Sequence, residues 1–268
     1  NGGFVVTWQS YGQDGDGYGI LGQRYDASGV SVGSEFQVNS YTQNDQRHPS
    51  VTAMSDGGFV MTWESYGQDG DGYGILGQRY DTSGAPVGSE FQVNSYTQSD
   101  QRLASVAALP NGGFVVTWES DGQDGSADGI YGQRYTKEGM TVGTEFRANT
   151  HTSNTQDKSD VTALLDGGFV VTWQSDSQDG SNYGIYGQRY DKSGATFGDE
   201  IQINTYTSSQ QTDPSVTALA DGGFMVTWES NGQDGSSYGI YGQRFAIDGS
   251  TEQFFTSAAG ANNAGGLA

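Results

Sequence analysis

The chain has 268 residues, with 32 acidic side chains against 11 basic ones for a formal charge of −21, 43 glycines and no cysteine. That charge balance argues against nucleic acid and anionic membrane surfaces as partners, because the polyphosphate attraction becomes a repulsion. The missing cysteines exclude a disulfide scaffold, thiolate catalysis and Cys-ligated metals.

Leu, Ile, Val and Phe make up only roughly 17% of the chain, a composition that with this charge reads as disorder. The aromatic residues, 12% of the chain, recur in a strict pattern that a disordered chain has no physical reason to keep. No apolar run approaches the ~18 residues of a membrane-spanning helix, so no membrane insertion is expected. The opening Asn1-Gly2-Gly3-Phe4 carries no charged n-region or apolar h-region and looks like the middle of a structural unit, as in a mature chain or an excised domain.

The string Gly-Gly-Phe-x-Val/Met-Thr-Trp begins at Gly2, Gly57, Gly112, Gly167 and Gly222, always 55 residues apart. Within each unit the pattern is period two, and nothing resembles a helical stripe. In chain order the first unit opens at strand B, with Phe4, Val6 and Trp8 on one face. A polar loop, Ser10–Tyr18, precedes strand C and its Gly-Gln-Arg ending at Arg24. Glu35–Asn39 follows as strand D, and Ser40–Arg47 as the loop to the next unit. The fifth unit shows the full set: strand A over Ser215–Leu219, a turn at Ala220–Gly223, strand B over Phe224–Glu229, a loop over Ser230–Ser237, strand C over Tyr238–Phe245 and a turn at Ile247–Gly249.

Four short strands in each of five units predict an all-β fold, a single five-bladed β-propeller over 1–268 with units starting near 1, 56, 111, 166 and 221. The first blade lacks its own strand A, and the C-terminal Ala264–Ala268 is expected to donate it and close the ring. An open solenoid is the alternative.

The five tryptophans, Trp8, Trp63, Trp118, Trp173 and Trp228, fall at one position per unit and read as core. So do Ile20, Ile75, Ile130, Ile185 and Ile240, and Tyr25, Tyr80, Tyr135, Tyr190 and Phe245. Arg24, Arg79, Arg134, Arg189 and Arg244 recur in every unit. Each is expected to bond either the residue after the tryptophan (Gln9, Glu64, Glu119, Gln174, Glu229) or loop carbonyls of the next blade, with a ligand-binding arginine ring as the other reading.

The Gln-Asp-Gly loops place Asp14, Asp16, Asp69, Asp71, Asp124, Asp128, Asp179 and Asp234 among glycines. Oxygen-rich, glycine-bent loops suit a structural Ca²⁺, and the plainer reading is that these aspartates cap turn amides. Strand order puts the B–C and D–A loops on one face, where Tyr18, Tyr73, Tyr183 and Tyr238 meet Tyr41, Tyr96 and Tyr206. Aromatic rings beside amides and carboxylates suit sugars.

The unit Asp-Gly-Gly-Phe-Val-Val-Thr-Trp-Glu-Ser-x-Gly-Gln-Asp-Gly-Ser-x-Tyr-Gly-Ile-Tyr-Gly-Gln-Arg-Tyr-Asp resembles tandem repeats of very large secreted bacterial calcium-binding, RTX-type adhesins. The resemblance covers all five units and implies type I secretion, an extracellular or cell-surface location and calcium in the surroundings. The RTX nonapeptide Gly-Gly-x-Gly-x-Asp does not occur, so its calcium site is not carried over, and the sialidase Asp-box spacing is absent as well.

The expectation from these readings is a monomeric, non-enzymatic binding or adhesion module for glycans or cell-surface polysaccharide. A purely structural spacer is one alternative and a propeller glycoside hydrolase the other. The last is disfavoured because five near-identical units place each residue in the same environment five times, while glycoside chemistry needs carboxyls in different environments.

Overall fold

The computed structural model describes residues 2–256, with side chains through Glu252. It contains five antiparallel sheets and, among the described residues, no helix. Blade 1 consists of β1 (Phe4–Tyr11), β2 (Tyr18–Tyr25) and β3 (Ser31–Gln37). Blade 2 holds β4 (Gln46–Ala53), β5 (Phe59–Tyr66), β6 (Tyr73–Tyr80) and β7 (Pro86–Gln92). Blade 3 holds β8 (Gln101–Ala108), β9 (Phe114–Asp121), β10 (Asp128–Tyr135) and β11 (Thr141–Arg147). Blade 4 holds β12 (Gln156–Ala163), β13 (Phe169–Asp176), β14 (Tyr183–Tyr190) and β15 (Ile201–Gln202), and blade 5 holds β16 (Gln211–Ala218), β17 (Phe224–Asn231), β18 (Tyr238–Phe245) and β19 (Thr251–Thr256). Each blade is a meander in strand order, which makes the molecule the five-bladed β-propeller that the repeat predicts. As expected, blade 1 has three strands. The donated strand expected from Ala264–Ala268 lies outside the described residues.

The second strand of each blade is mostly apolar because blades pack on both of its faces. Trp63, Trp118 and Trp173 are wholly buried, and the recurrent Phe–Tyr or Phe–Phe pair, such as Phe114 on Tyr135, stacks at 4.7 Å. In blade 1, which has three strands among the described residues, the same letters change role: Phe4 is 52% exposed and Phe59 only 6%.

Strand A begins four residues earlier than the alternation predicts, at Gln211 in blade 5, because it carries a bulge. The register slips between Arg47 and Ser50, Arg102 and Ser105, Asp157 and Asp160, and Thr212 and Ser215. In each bulge one non-glycine residue takes positive φ: His48 (48°), Leu103 (49°), Lys158 (54°) and Asp213 (54°). Such a conformation is costly for these residue types and needs a compensating contact. That contact is a hydrogen bond across the joint between blades. The amide of His48 donates to Gln9 Oε1 at 2.9 Å, Leu103 to Glu64 Oε1 at 2.6 Å, Lys158 to Glu119 Oε2 at 3.2 Å and Asp213 to Gln174 Oε1 at 3.0 Å.

The joints between blades 1 and 2, 2 and 3, and 3 and 4 are fastened at two further heights. On the face carrying the B–C and D–A loops, the amides of Ser40, Ser95 and Thr150 donate to Glu90, Glu145 and Glu200 of the following blade. At the opposite face Arg24 donates to Thr82 O at 2.8 Å, Arg79 to Glu138 O at 2.8 Å and Arg134 to Lys192 O at 2.9 Å. Carbonyls of the next blade's turn are thus what these arginines hold, one of the two structural partners expected.

Candidate active site

Each B–C loop sits beside a D–A loop through a buried amide lock. In blade 3, Asn149 Oδ1 accepts from Ile130 N at 2.8 Å, while its Nδ2 donates to His151 O at 2.6 Å and Gln156 Oε1 at 3.0 Å. Asn39, Asn94 and Asn204 do the same with Gln46, Gln101 and Gln211. These locks bring the first residue of strand C over the bulged start of strand A in the next blade.

At the first two joints this contact is a ring and a cation. Arg47 lies over the Tyr18 ring at 4.8 Å and pairs with Asp45 at 2.7 Å. Arg102 lies over Tyr73 at 5.2 Å and pairs with Asp100. At the third joint both letters change, to Asp128 and Asp157, whose charges act on Glu119. The fourth has Tyr183 and Thr212.

The third joint therefore gathers three carboxyls where the first two hold ring and guanidinium. Glu119 is 8% exposed. Burial, reinforced by the negative charge of Asp157 and opposed by the Lys158 amide, pushes its carboxyl up to about 8. Burial also raises Asp157, to about 6, against a hydrogen bond from the Gln174 side chain and with Asp128 adding repulsion. Asp128 is raised by burial and by Asp121, while Arg102 draws it back. Lys158, the nearest cation in sequence, turns its ammonium to Asp213. Glu64 at the second joint is more deeply buried, at 1% exposure. Its carboxylate is engaged by Leu103 N and by His48 Nδ1 at 2.9 Å.

Near neutral pH these environments leave one buried carboxyl protonated and a second ionised at the same joint. That is the division of labour a proton donor and a base require.

The residues expected from sequence separate by face. Tyr18, Tyr73, Tyr183 and Tyr238 begin strand C of their blades on the loop face. Tyr18 and Tyr73 carry the arginines, and the charges of Asp157, Asp128 and Glu119 reach Tyr183. Tyr41, Tyr96 and Tyr206 lie in the D–A loops and lend their carbonyls to the asparagine locks.

The arginines expected either as a structural bond or as a ligand ring take structural partners. Arg24, Arg79 and Arg134 sit at the other end of strand C on turn carbonyls, while Arg189 pairs with Asp166 at 2.6 Å and Arg244 with Asp221. They are joinery, remote from the loop face.

In the Gln-Asp-Gly loops, Asp69, Asp124, Asp179 and Asp234 accept turn amides. Asp14 accepts from Asn39 Nδ2 at 3.0 Å, and Asp16 and Asp71 accept from the D–A loop amides of Asn44 and Ser99. Among the described residues no three His, Cys, Asp or Glu side chains gather closely enough to hold a metal ion.

No protein-family model and no curated protein matches the chain. Solved structures of similar shape include a protein of unknown function from Dyadobacter fermentans (TM-score 0.63, 10% identity, covering 93% of this chain and 77% of that one). An α-L-arabinofuranosidase from Lactobacillus brevis matches with TM-score 0.51 and 11% identity over 93% of this chain and 89% of that one. An endo-1,4-β-xylanase from Bacteroides thetaiotaomicron matches with 0.52 and 10% over 97% and 91%.

The expectation of a non-enzymatic adhesion module is therefore corrected. Two of the structures of similar shape named above are glycan-cleaving enzymes, the arabinofuranosidase and the xylanase, and the symmetry that spoke against an active centre fails at the third joint. Sequence reasoning missed Glu119 and Asp157. The available signal was disagreement among copies: Arg47 and Arg102 give way to Asp157 where Tyr18 and Tyr73 give way to Asp128.

Proposed function

We propose that the protein is a propeller glycoside hydrolase whose centre is the joint between blades 3 and 4. The observation that carries this reading is the pair of buried Glu119 and half-buried Asp157 at one joint, with carboxyls held at about 8 and about 6. Protonated Glu119 donates its proton to the glycosidic oxygen as the bond to the leaving sugar breaks. Ionised Asp157 takes a proton from the water that attacks the anomeric carbon, and Asp128 adds negative charge facing the oxocarbenium-like transition state. The net charge of −21 makes a neutral glycan the fitting substrate.

The test is incubation of the full chain with a panel of neutral polysaccharides, arabinan and xylan first, followed by assay of new reducing ends. Release that disappears in Glu119→Gln and Asp157→Asn supports the assignment. No release from any neutral glycan, or release that survives both substitutions, overturns it.

A further inference from the structure

The loop face is polarised in a way the repeat conceals. The residue ending strand B is Tyr11 in blade 1 and Tyr66 in blade 2, but Asp121, Asp176 and Asn231 in the others. Tyr11 meets Tyr18 edge-on at 5.2 Å, and Tyr66 meets Tyr73 at 5.1 Å. Between these pairs lies a cleft of about 410 Å³, lined by Tyr11, Tyr66, Tyr73, Arg47, Asp16 and Asp45 among others. Its volume lies within the ~300–1,000 Å³ range of small-molecule sites. Tyr11 is 75% exposed and Tyr66 46%, large rings left in water beside hydrogen-bonding groups.

Two residues, Tyr73 and Arg102, link the cleft to the acid cluster. Tyr73 lines it, Arg102 lies over Tyr73, and the charge of Arg102 acts on Asp128. Aromatic faces thus stand on blades 1 and 2 and carboxyls at the joint of blades 3 and 4, with one joint between them.

We infer that the tyrosine cleft is a distal subsite for a neutral, unbranched glycan chain, so that the substrate is a polymer cut internally. This rests on the hydrolase reading above. A single sugar cannot occupy the cleft and the acid cluster together, whereas a chain crossing the intervening joint does. Sugar C–H faces pack on the tyrosine rings, and hydroxyls bond Arg47 and the carboxylates of Asp16 and Asp45. Two carboxylates against one guanidinium disfavour an anionic sugar there.

Calorimetric titration of the Glu119→Gln chain with xylo-, arabino- and cello-oligosaccharides of two to six units tests the inference. The longest cognate oligomer is expected to bind about tenfold or more tightly than its dimer. Tyr11→Ala and Tyr66→Ala, both at exposed rings, are expected to erase that gain and, in the active chain, to raise KM for the polymer. Galacturonate oligomers of the same length are expected to bind about tenfold or more weakly.

Length-independent binding, a gain that survives both tyrosine substitutions, or no binding by any of these oligomers overturns the subsite. The two readings fail separately. Reducing ends released without tyrosine dependence sink the subsite alone, while tyrosine-dependent, length-dependent binding without release sinks the hydrolase alone.

Discussion

The backbone amide of Lys158, held at positive φ, donates to Glu119 Oε2 at 3.2 Å. The same bond that compensates the bulge of blade 4 fixes where the buried carboxyl of blade 3 points. Three other joints use this arrangement with Gln9, Glu64 or Gln174 as acceptor, so the position accepts either an amide or an acid without a change of geometry.

Glu119→Gln is consequently expected to fold as the native chain does, since Gln9 and Gln174 already fill the position. Its melting temperature should match or exceed that of the native chain, while hydrolysis falls by roughly 10²–10⁴-fold, the usual contribution of a positioned acid. Calorimetry beside a reducing-end assay checks both. A variant that keeps full activity excludes Glu119 as proton donor.

Activity should follow a bell-shaped pH profile. Asp157 must be ionised and Glu119 protonated, so the acid limb falls near about 6 and the alkaline limb near about 8. Asp157→Asn should remove the activity rather than shift the limb. A plateau extending unchanged above pH 9 would contradict the assignment.

Stability should carry the same signature with a definite sign. The folded-state pKa of Glu119 lies above the 4.5 of a free glutamate side chain, so the native state holds a proton that the unfolded chain releases. The stability associated with that proton is fully present below about 4.5 and is lost as pH rises through about 8. Urea midpoints measured across this window should therefore drop with pH for the native chain and drop less for Glu119→Gln. Equal slopes for the two chains would sink the point.

Asn149→Leu should cost about 3 kcal/mol or more, because it strands the buried Ile130 amide, the His151 carbonyl and Gln156 Oε1 together. Equilibrium denaturation measures it. A loss below about 1 kcal/mol would mean that water replaces the lock.

The blade count and the third strands were legible in the 55-residue period: strand C of blade 5 runs over Tyr238–Phe245 as expected. The start of strand A was not. Alternation read from Ser215 breaks at the bulge, and the polar Gln211–Asp213 that precedes it reads as loop unless the amide lock and the joint bond are known. The site was hidden by the same period that revealed the fold. Averaging five copies preserves the tryptophans and erases Asp157 and Asp128, which matter because they differ. Burial adds the rest: Glu64, Glu119 and Glu229 share a letter and a register position, but only Glu119 has Asp157 across the joint.

The arginine at the foot of blade 4 sets the order in which the molecule comes apart. Arg189 turns to Asp166 of its own blade, and its Nε and Nη1 are buried without a hydrogen-bond partner. Among the described residues, the joint between blades 4 and 5 keeps the Asp213–Gln174 tie of the three recurrent fastenings, beside the Lys158–Asp213 ion pair and the bonds that Ser215 and Val216 donate to Asp160. Pulled or heated, that joint should part first at its foot, where no arginine reaches across, and the carboxyl pair one joint further in should outlast the parting.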